Sequence, residues 1–145
     1  MSGTPTPTLV PQPKGIPVPV PSARSQPFWD GCREGRLVLP LCSSCGRRAL
    51  RAFAACAHCH QTTLGWEPSD GRGALYSWTV VWRPPHPTLV VPYAPAVITL
   101  DEGWWFLSAV VGCPPGDLHE GMALEVEFHA ASESVVLPYF HPLAG

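Results

Sequence analysis

Four cysteines in this sequence are spaced Cys42-x2-Cys45-x10-Cys56-x2-Cys59. A C-x-x-C turn places two thiolates at one knuckle, and two such knuckles brought together surround a soft, redox-silent cation tetrahedrally. The pattern therefore reads as a structural zinc site (Zn2+) with those four ligands. Gly46 follows the first pair, where close backbone approach to the sulfurs is useful, and nearby arginines offset the charge of four thiolates. Iron in the same tetrahedron is the rival ion, His58 and His60 are the alternative ligands to Cys59 or Cys56, and two reduced, merely buried pairs are the blander reading. The symmetry of two cysteine pairs makes a histidine ligand unnecessary. A redox-active C-x-x-C usually opens a helix in a βαβ setting, which this sequence does not offer. A closed four-thiolate site leaves no coordination position for water, so the metal is expected to fold the chain and catalyse nothing.

Other reactive groups are scattered. G-x-S-x-G, H-E-x-x-H and the P-loop are missing, and Gly71-Arg72-Gly73 stops two glycines into a dinucleotide fingerprint. His86 lies within Arg83-Pro84-Pro85-His86-Pro87, and His119, His129 and His141 have no identifiable nucleophile beside them. No catalytic residue is expected. Cys32 and Cys113, outside the metal pattern, read as core or interface thiols.

The elements that must position the cysteines are short. Residues 1–26 form a Pro-rich arm, a tract that prefers extended polyproline II, cannot build a core, and is expected to be mobile or bound to a partner. It lacks the apolar run of a signal peptide, and no stretch of about 18 apolar residues marks a membrane span. A cytoplasmic protein with reduced thiols is expected. Residues 27–65 form a second unit: a helix from Pro27 to Gly35, a strand from Arg36 to Leu41 leading into the first knuckle, and a strand from Arg48 to Phe53 before the second. From Trp66 to the end, residues 66–145, the pattern becomes period-two. Strands are expected at Gly73 to Arg83, Ala94 to Leu100, Trp104 to Val111, Met122 to His129 and Ser134 to Phe140, with Asp101-Glu102-Gly103 as a tight hairpin turn. Alternation puts Trp78 and Trp82 in the core and turns one of Trp104 and Trp105 outward. Five strands suit a small closed barrel of the OB type, because an open sheet would leave its edges exposed. The fold class is thus mostly β, with an N-terminal helix, a zinc ribbon and a five-stranded OB-fold barrel.

Charge divides the chain. Residues 1–65 carry seven Lys/Arg against Asp30 and Glu34, whereas residues 66–145 carry only Arg72 and Arg83 against nine acids. A ribbon beside an OB barrel invites a nucleic-acid reading, and this is the alternative function. An OB groove for single strands needs a cationic track among its aromatics; here Trp78, Trp82, Trp104 and Trp105 lie in the acidic half, so nucleic acid is not the expected partner. Large aromatics and arginines suit a docking subunit instead.

From Gln26 to Pro142 the chain resembles the DUF35 family. The resemblance is carried by Pro27-Phe28-Trp29, Gly35-Arg36-Leu37, Cys42-x-x-Cys45-Gly46, Cys56-x-x-Cys59, Gly71-Arg72-Gly73 before Tyr76-Ser77, Pro92-Tyr93, Leu100-Asp101-Glu102-Gly103, Gly121-Met122 and Leu137-Pro138-x-Phe140-x-Pro142. It implies a rubredoxin-like zinc ribbon followed by an OB-fold. It also implies an accessory or scaffold subunit of a thiolase-superfamily enzyme, such as a steroid side-chain aldolase or an acyltransferase, that shapes or bridges the acyl-CoA site. A MaoC-like hydratase is a further implied partner, and acyl-CoA would be met indirectly. The long Pro-rich arm and the lack of a fused hydratase set this sequence apart from that pattern.

Overall fold

The computed structural model describes residues 7–143. Its first helix, α1 (Gln26–Arg33), begins with a proline in its first turn and ends where Gly35 takes a φ of 74°. This is the stop expected of a glycine just past the C-cap. Strand β1 (Leu37–Cys42) follows and delivers Cys42 to the first knuckle.

The expected strand from Arg48 to Phe53 does not form. Only a single bridge joins Leu41 to Arg48, and β1 pairs instead with β2 (Leu64–Ser69), beyond the second knuckle. Proline supplies the reason: the Pro40 carbonyl accepts the Ala49 amide at 3.0 Å, but Pro40 has no N–H to return the bond. The division expected between residues 65 and 66 falls inside β2, so the ribbon sheet runs to Ser69 and the barrel begins at Arg72.

Strands β3 (Arg72–Trp78), β4 (Ala94–Leu100), β5 (Trp105–Val110), β6 (Ala123–Ala130) and β7 (Val136–Pro142) close a barrel in the order β3-β4-β5-β7-β6. The β5–β7 pairing is parallel and the others are antiparallel, which is the OB arrangement. A single 3-10 turn, Pro115–Asp117, occupies the connection between β5 and β6.

Alternation holds along β4, where Ala94, Ala96, Ile98 and Leu100 are buried, and at Trp104, which is buried while Trp105 is exposed. It fails on β3. The register slips between Leu75 and Ser77, so Tyr76 is an extra residue and the phase of the strand reverses. Leu75 and Trp78 then both reach the core, and Trp82, expected inside, lies beyond the strand at 60% exposure.

The arm also departs from expectation. Its residues 1–6 lie outside the described range, but the rest is fastened to its own barrel. Leu9 is fully buried, its amide donates to the Cys113 carbonyl at 2.9 Å, and its carbonyl accepts from Gly112 at 2.8 Å. The Gln12 side chain donates to the Val90 carbonyl and accepts from the Val90 amide, as a neighbouring strand would. One well-placed leucine and one amide therefore dock a tract too proline-rich to build a core itself.

Ribbon and barrel share that core. Leu37 and Leu39 of β1 pack in one cluster with Leu75, Ile98, Leu124 and Phe140. Two polar ties accompany the packing. The Trp104 indole donates to the Pro40 carbonyl at 2.9 Å, and Glu102 in the β4–β5 turn accepts from the Ser69 hydroxyl and the Asp70 amide, each at 2.8 Å.

Candidate functional site

The two knuckles are built alike. In the first, the Cys42 amide donates to the Arg47 carbonyl and the Gly46 amide returns to the Cys42 carbonyl; in the second, Cys56 donates to Gln61 and His60 returns to Cys56. Closing this turn requires a positive φ at the residue after the second cysteine. Gly46 adopts 76° without steric cost, while His60 adopts 65°, an uncommon conformation for a residue with a Cβ. The sequence thus offers glycine at one knuckle only, yet both close.

The result brings the Sγ atoms of Cys42, Cys45, Cys56 and Cys59 within 4.8 Å of one another. Cys42 lies 3.5 Å from Cys59, and Cys45 lies 3.8 Å from Cys56. A tetrahedral ion with sulfur ligands at about 2.3 Å needs sulfur separations of about 3.8 Å. The cluster fits such an ion. Backbone amides also point at sulfur: those of His58 and Cys59 approach Cys56 Sγ at 3.4 and 3.5 Å.

These amides favour thiolate. The Cys45 amide holds the Cys42 thiol down at about 6. The Cys59 and His58 amides likewise lower Cys56. At Cys59 the Gln61 amide pulls downward, but burial and the sulfurs of Cys42, Cys45 and Cys56 outweigh it and push the thiol up to about 12. Four sulfurs at this spacing cannot all carry charge without a cation among them.

His58 and His60 are exposed and do not join the cluster. Cys32 and Cys113 are buried apart from it, and burial pushes Cys32 up to about 12. The remaining histidines are engaged locally. His86 meets the Thr88 hydroxyl, His119 the Asp117 carbonyl and His129 the Glu127 carboxylate, while His141 lies 3.8 Å from Glu125. Gly71-Arg72-Gly73 has a structural use. Gly71 has a φ of 73°, and a Cβ there would stand 2.4 Å from Val126.

Beside the knuckles, Arg47, Arg48 and Arg51 are exposed and make no ion pair among the described residues. The Arg48 guanidinium lies 4.9 Å above the Trp104 ring. On the outer barrel face Tyr76 stacks on Trp105 at 5.1 Å, each half exposed. No helix among the described residues is long and apolar enough to cross a membrane.

Residues 66–129 match the family model described as the ChsH2 C-terminal OB-fold domain. A DUF35 domain-containing scaffold protein of Methanocaldococcus jannaschii is 31% identical over 94 residues, covering 63% of this chain and 67% of the relative. A probable enoyl-CoA hydratase alpha subunit of Thermomonospora curvata is 30% identical over 120 residues, 82% of this chain but only 38% of that longer protein. Among solved structures, a chain of an Ltp2-ChsH2(DUF35) aldolase superposes with a TM-score of 0.79 at 27% identity, covering 86% of this chain and 98% of that one.

Proposed function

Because this chain belongs to the DUF35 family, we propose that it is a non-catalytic, zinc-binding accessory subunit of a thiolase-like acyl-CoA enzyme complex. The observation that carries this reading is the near end-to-end match to the DUF35 chain of the Ltp2-ChsH2 aldolase. The relative described as a scaffold protein supports the same role. The hydratase alpha subunit supports a setting in acyl-CoA chemistry, with a MaoC-like hydratase as a second candidate partner.

The chain's own residues suit that role. Cys42, Cys45, Cys56 and Cys59 would hold zinc, which supplies folding free energy and, with four sulfur ligands, no open site for chemistry. Cross-ties from Trp104 and Glu102 then fix the ribbon on the barrel, so that the exposed Arg47, Arg48 and Arg51 are presented at a defined place, with Arg48 lying over the buried Trp104 ring. Arginine next to apolar surface suits a protein interface, where charge steers encounter and aromatics anchor the bound state. The subunit would act in the cytoplasm, shaping or bridging the acyl-CoA site of its partner.

The test is co-expression with a thiolase-superfamily enzyme of the same host. A stable hetero-oligomer is expected, and Arg47→Glu with Arg48→Glu should slow its association in a salt-dependent way. Migration of the two proteins as separate species at micromolar concentration would contradict the proposal.

A further inference from the structure

The barrel has two unlike outer faces. On one, β6 carries Glu125, Glu127 and His129 at alternate positions, Arg72 pairs with Glu125, and His141 of β7 stands opposite that same glutamate. On the other, β3 from Gly73 onward and the whole of β4 and β5 contain no charged residue. Thr99 lies opposite Trp105, Val97 opposite Leu107 and Pro95 opposite Ala109, while Ala74 and Ser77 extend the first two rows onto β3. Tyr76, displaced by the bulge, stacks on Trp105. Tyr76 and Trp105 are each 51% exposed and Leu107 is 75% exposed. An antiparallel sheet with one face in water ordinarily turns polar side chains outward. Strand β6 keeps that rule and β5 breaks it.

A notch of about 200 Å³ adjoins Trp105, lined by Arg48, Ala49, Leu50, Gly103 and the two tryptophans, Trp104 and Trp105. No carboxylate lines it, and Glu102 in the adjoining turn already accepts from Ser69 and Asp70. The Arg48 guanidinium, resting over Trp104, has no ion-pair partner among the described residues. An uncharged face with protruding aromatics has the composition of an interface core, and a single unpaired cation at its edge complements an acid. A single-stranded nucleic acid would need a cationic track among the aromatics, and these rows have none. A lipid surface favours long apolar side chains above a cluster of cations. Here Ala74, Ser77, Thr99 and Ala109 are short, which suits contact with a second packed protein surface.

We propose that the outer face of β3, β4 and β5 is where the catalytic partner docks, covering Val97, Trp105 and Leu107 with an apolar surface and placing one acidic side chain in the notch against Arg48. The barrel is closed, so it offers this partner no strand edge, and the contact is made by side chains alone. Rigid anchoring favours the same site, because the Trp104 indole and the Glu102 carboxylate tie this end of the barrel to the ribbon. The inference rests on the accessory role and adds to it the face that meets the partner.

Affinity measurements between the full chain and a thiolase-superfamily enzyme of the same host test this. Trp105→Ala and Leu107→Asp should each weaken the hetero-oligomer at least about tenfold. Arg48→Gln should weaken it about three- to tenfold, and that part should fade as salt is raised. Glu133→Lys, exposed in the β6–β7 turn, should change the affinity by less than about twofold. Circular dichroism and bound metal should be the same in all four variants, since none of these side chains is buried. Unchanged affinity in both Trp105→Ala and Leu107→Asp would overturn this inference and leave the accessory role standing, because the hetero-oligomer would still have formed. Failure of the unaltered chain to associate would overturn both. Binding to phosphatidylglycerol vesicles, or a homodimer in sedimentation, that is lost in Leu107→Asp while the hetero-oligomer persists would give the face another occupant and equally overturn the proposal.

Discussion

Between Ser43 and Thr63 the only hydrophobic side chain that is buried is Cys56, whereas the barrel from Arg72 to Pro142 buries Leu75, Ile98, Leu100, Val110, Leu124 and Phe140. The knuckle segment has no regular element and meets the sheet through one bridge at Leu41 and Arg48. Such a segment lacks the apolar burial that offsets chain entropy. The barrel has it. The two regions therefore need different stabilisers, and the four sulfurs stand where a core would otherwise be required.

The largest effect should come from breaking the sulfur cluster. Structural zinc contributes on the order of 10 kcal/mol or more to folding small sites, so Cys45→Ala or a strong chelator should remove hydrogen-exchange protection from the knuckle amides of Gly46 and His60. Protection in β4 and β6 should survive. Loss in both regions at once would mean that the barrel depends on the ribbon.

A change in the barrel core should have the opposite signature. Phe140→Ala removes a fully buried ring and should cost about 3–5 kcal/mol of global stability. In the protein that remains folded, metal stoichiometry should be unchanged at one ion per chain.

Smaller effects sharpen the joint between the regions. Trp104→Phe keeps most of the buried ring but deletes its hydrogen bond to Pro40, and should cost about 1–2 kcal/mol. Burial opposes ionisation of Glu102, yet the Asp70 amide, the Ser69 hydroxyl and the Arg48 charge prevail and hold its carboxyl below the usual range. Its folded value therefore lies below the unfolded one of about 4.3. The stabilisation is present above that pH and is lost as pH falls through the folded value. Thermal melts should show this acid limb, and Glu102→Gln should flatten it.

The sequence speaks clearly where local pattern and structure coincide. Paired cysteines encode the knuckles by spacing alone, and β4 alternates cleanly because one of its faces lies on the core, while on β6 Leu124, Val126 and Phe128 pack toward it. Other features depend on partners far along the chain. Leu64–Ser69 contains Gly65 and Pro68 and carries little strand signal, yet it pairs with β1 along its whole length, whereas Pro40 ends the ladder on the other edge of β1 at Ala49. The bulge at Tyr76 reverses the expected phase of the following residues, which no single-strand pattern announces. Leu9 and Gln12 find the barrel across more than a hundred residues in one case and 78 in the other. The cavity where arm, helix, ribbon and barrel meet is still less legible, since its lining is drawn from stretches scattered between Val10 and Tyr139.

The measurement that bears most directly on the proposed role is the turnover of a thiolase-superfamily partner, assayed alone, with this chain added, and with this chain assayed by itself. Activity of the partner should rise with added chain and saturate at a fixed ratio, while the chain alone turns over no acyl-CoA. Full activity of the partner without the chain, or acyl-CoA turnover by the chain alone, would contradict the account.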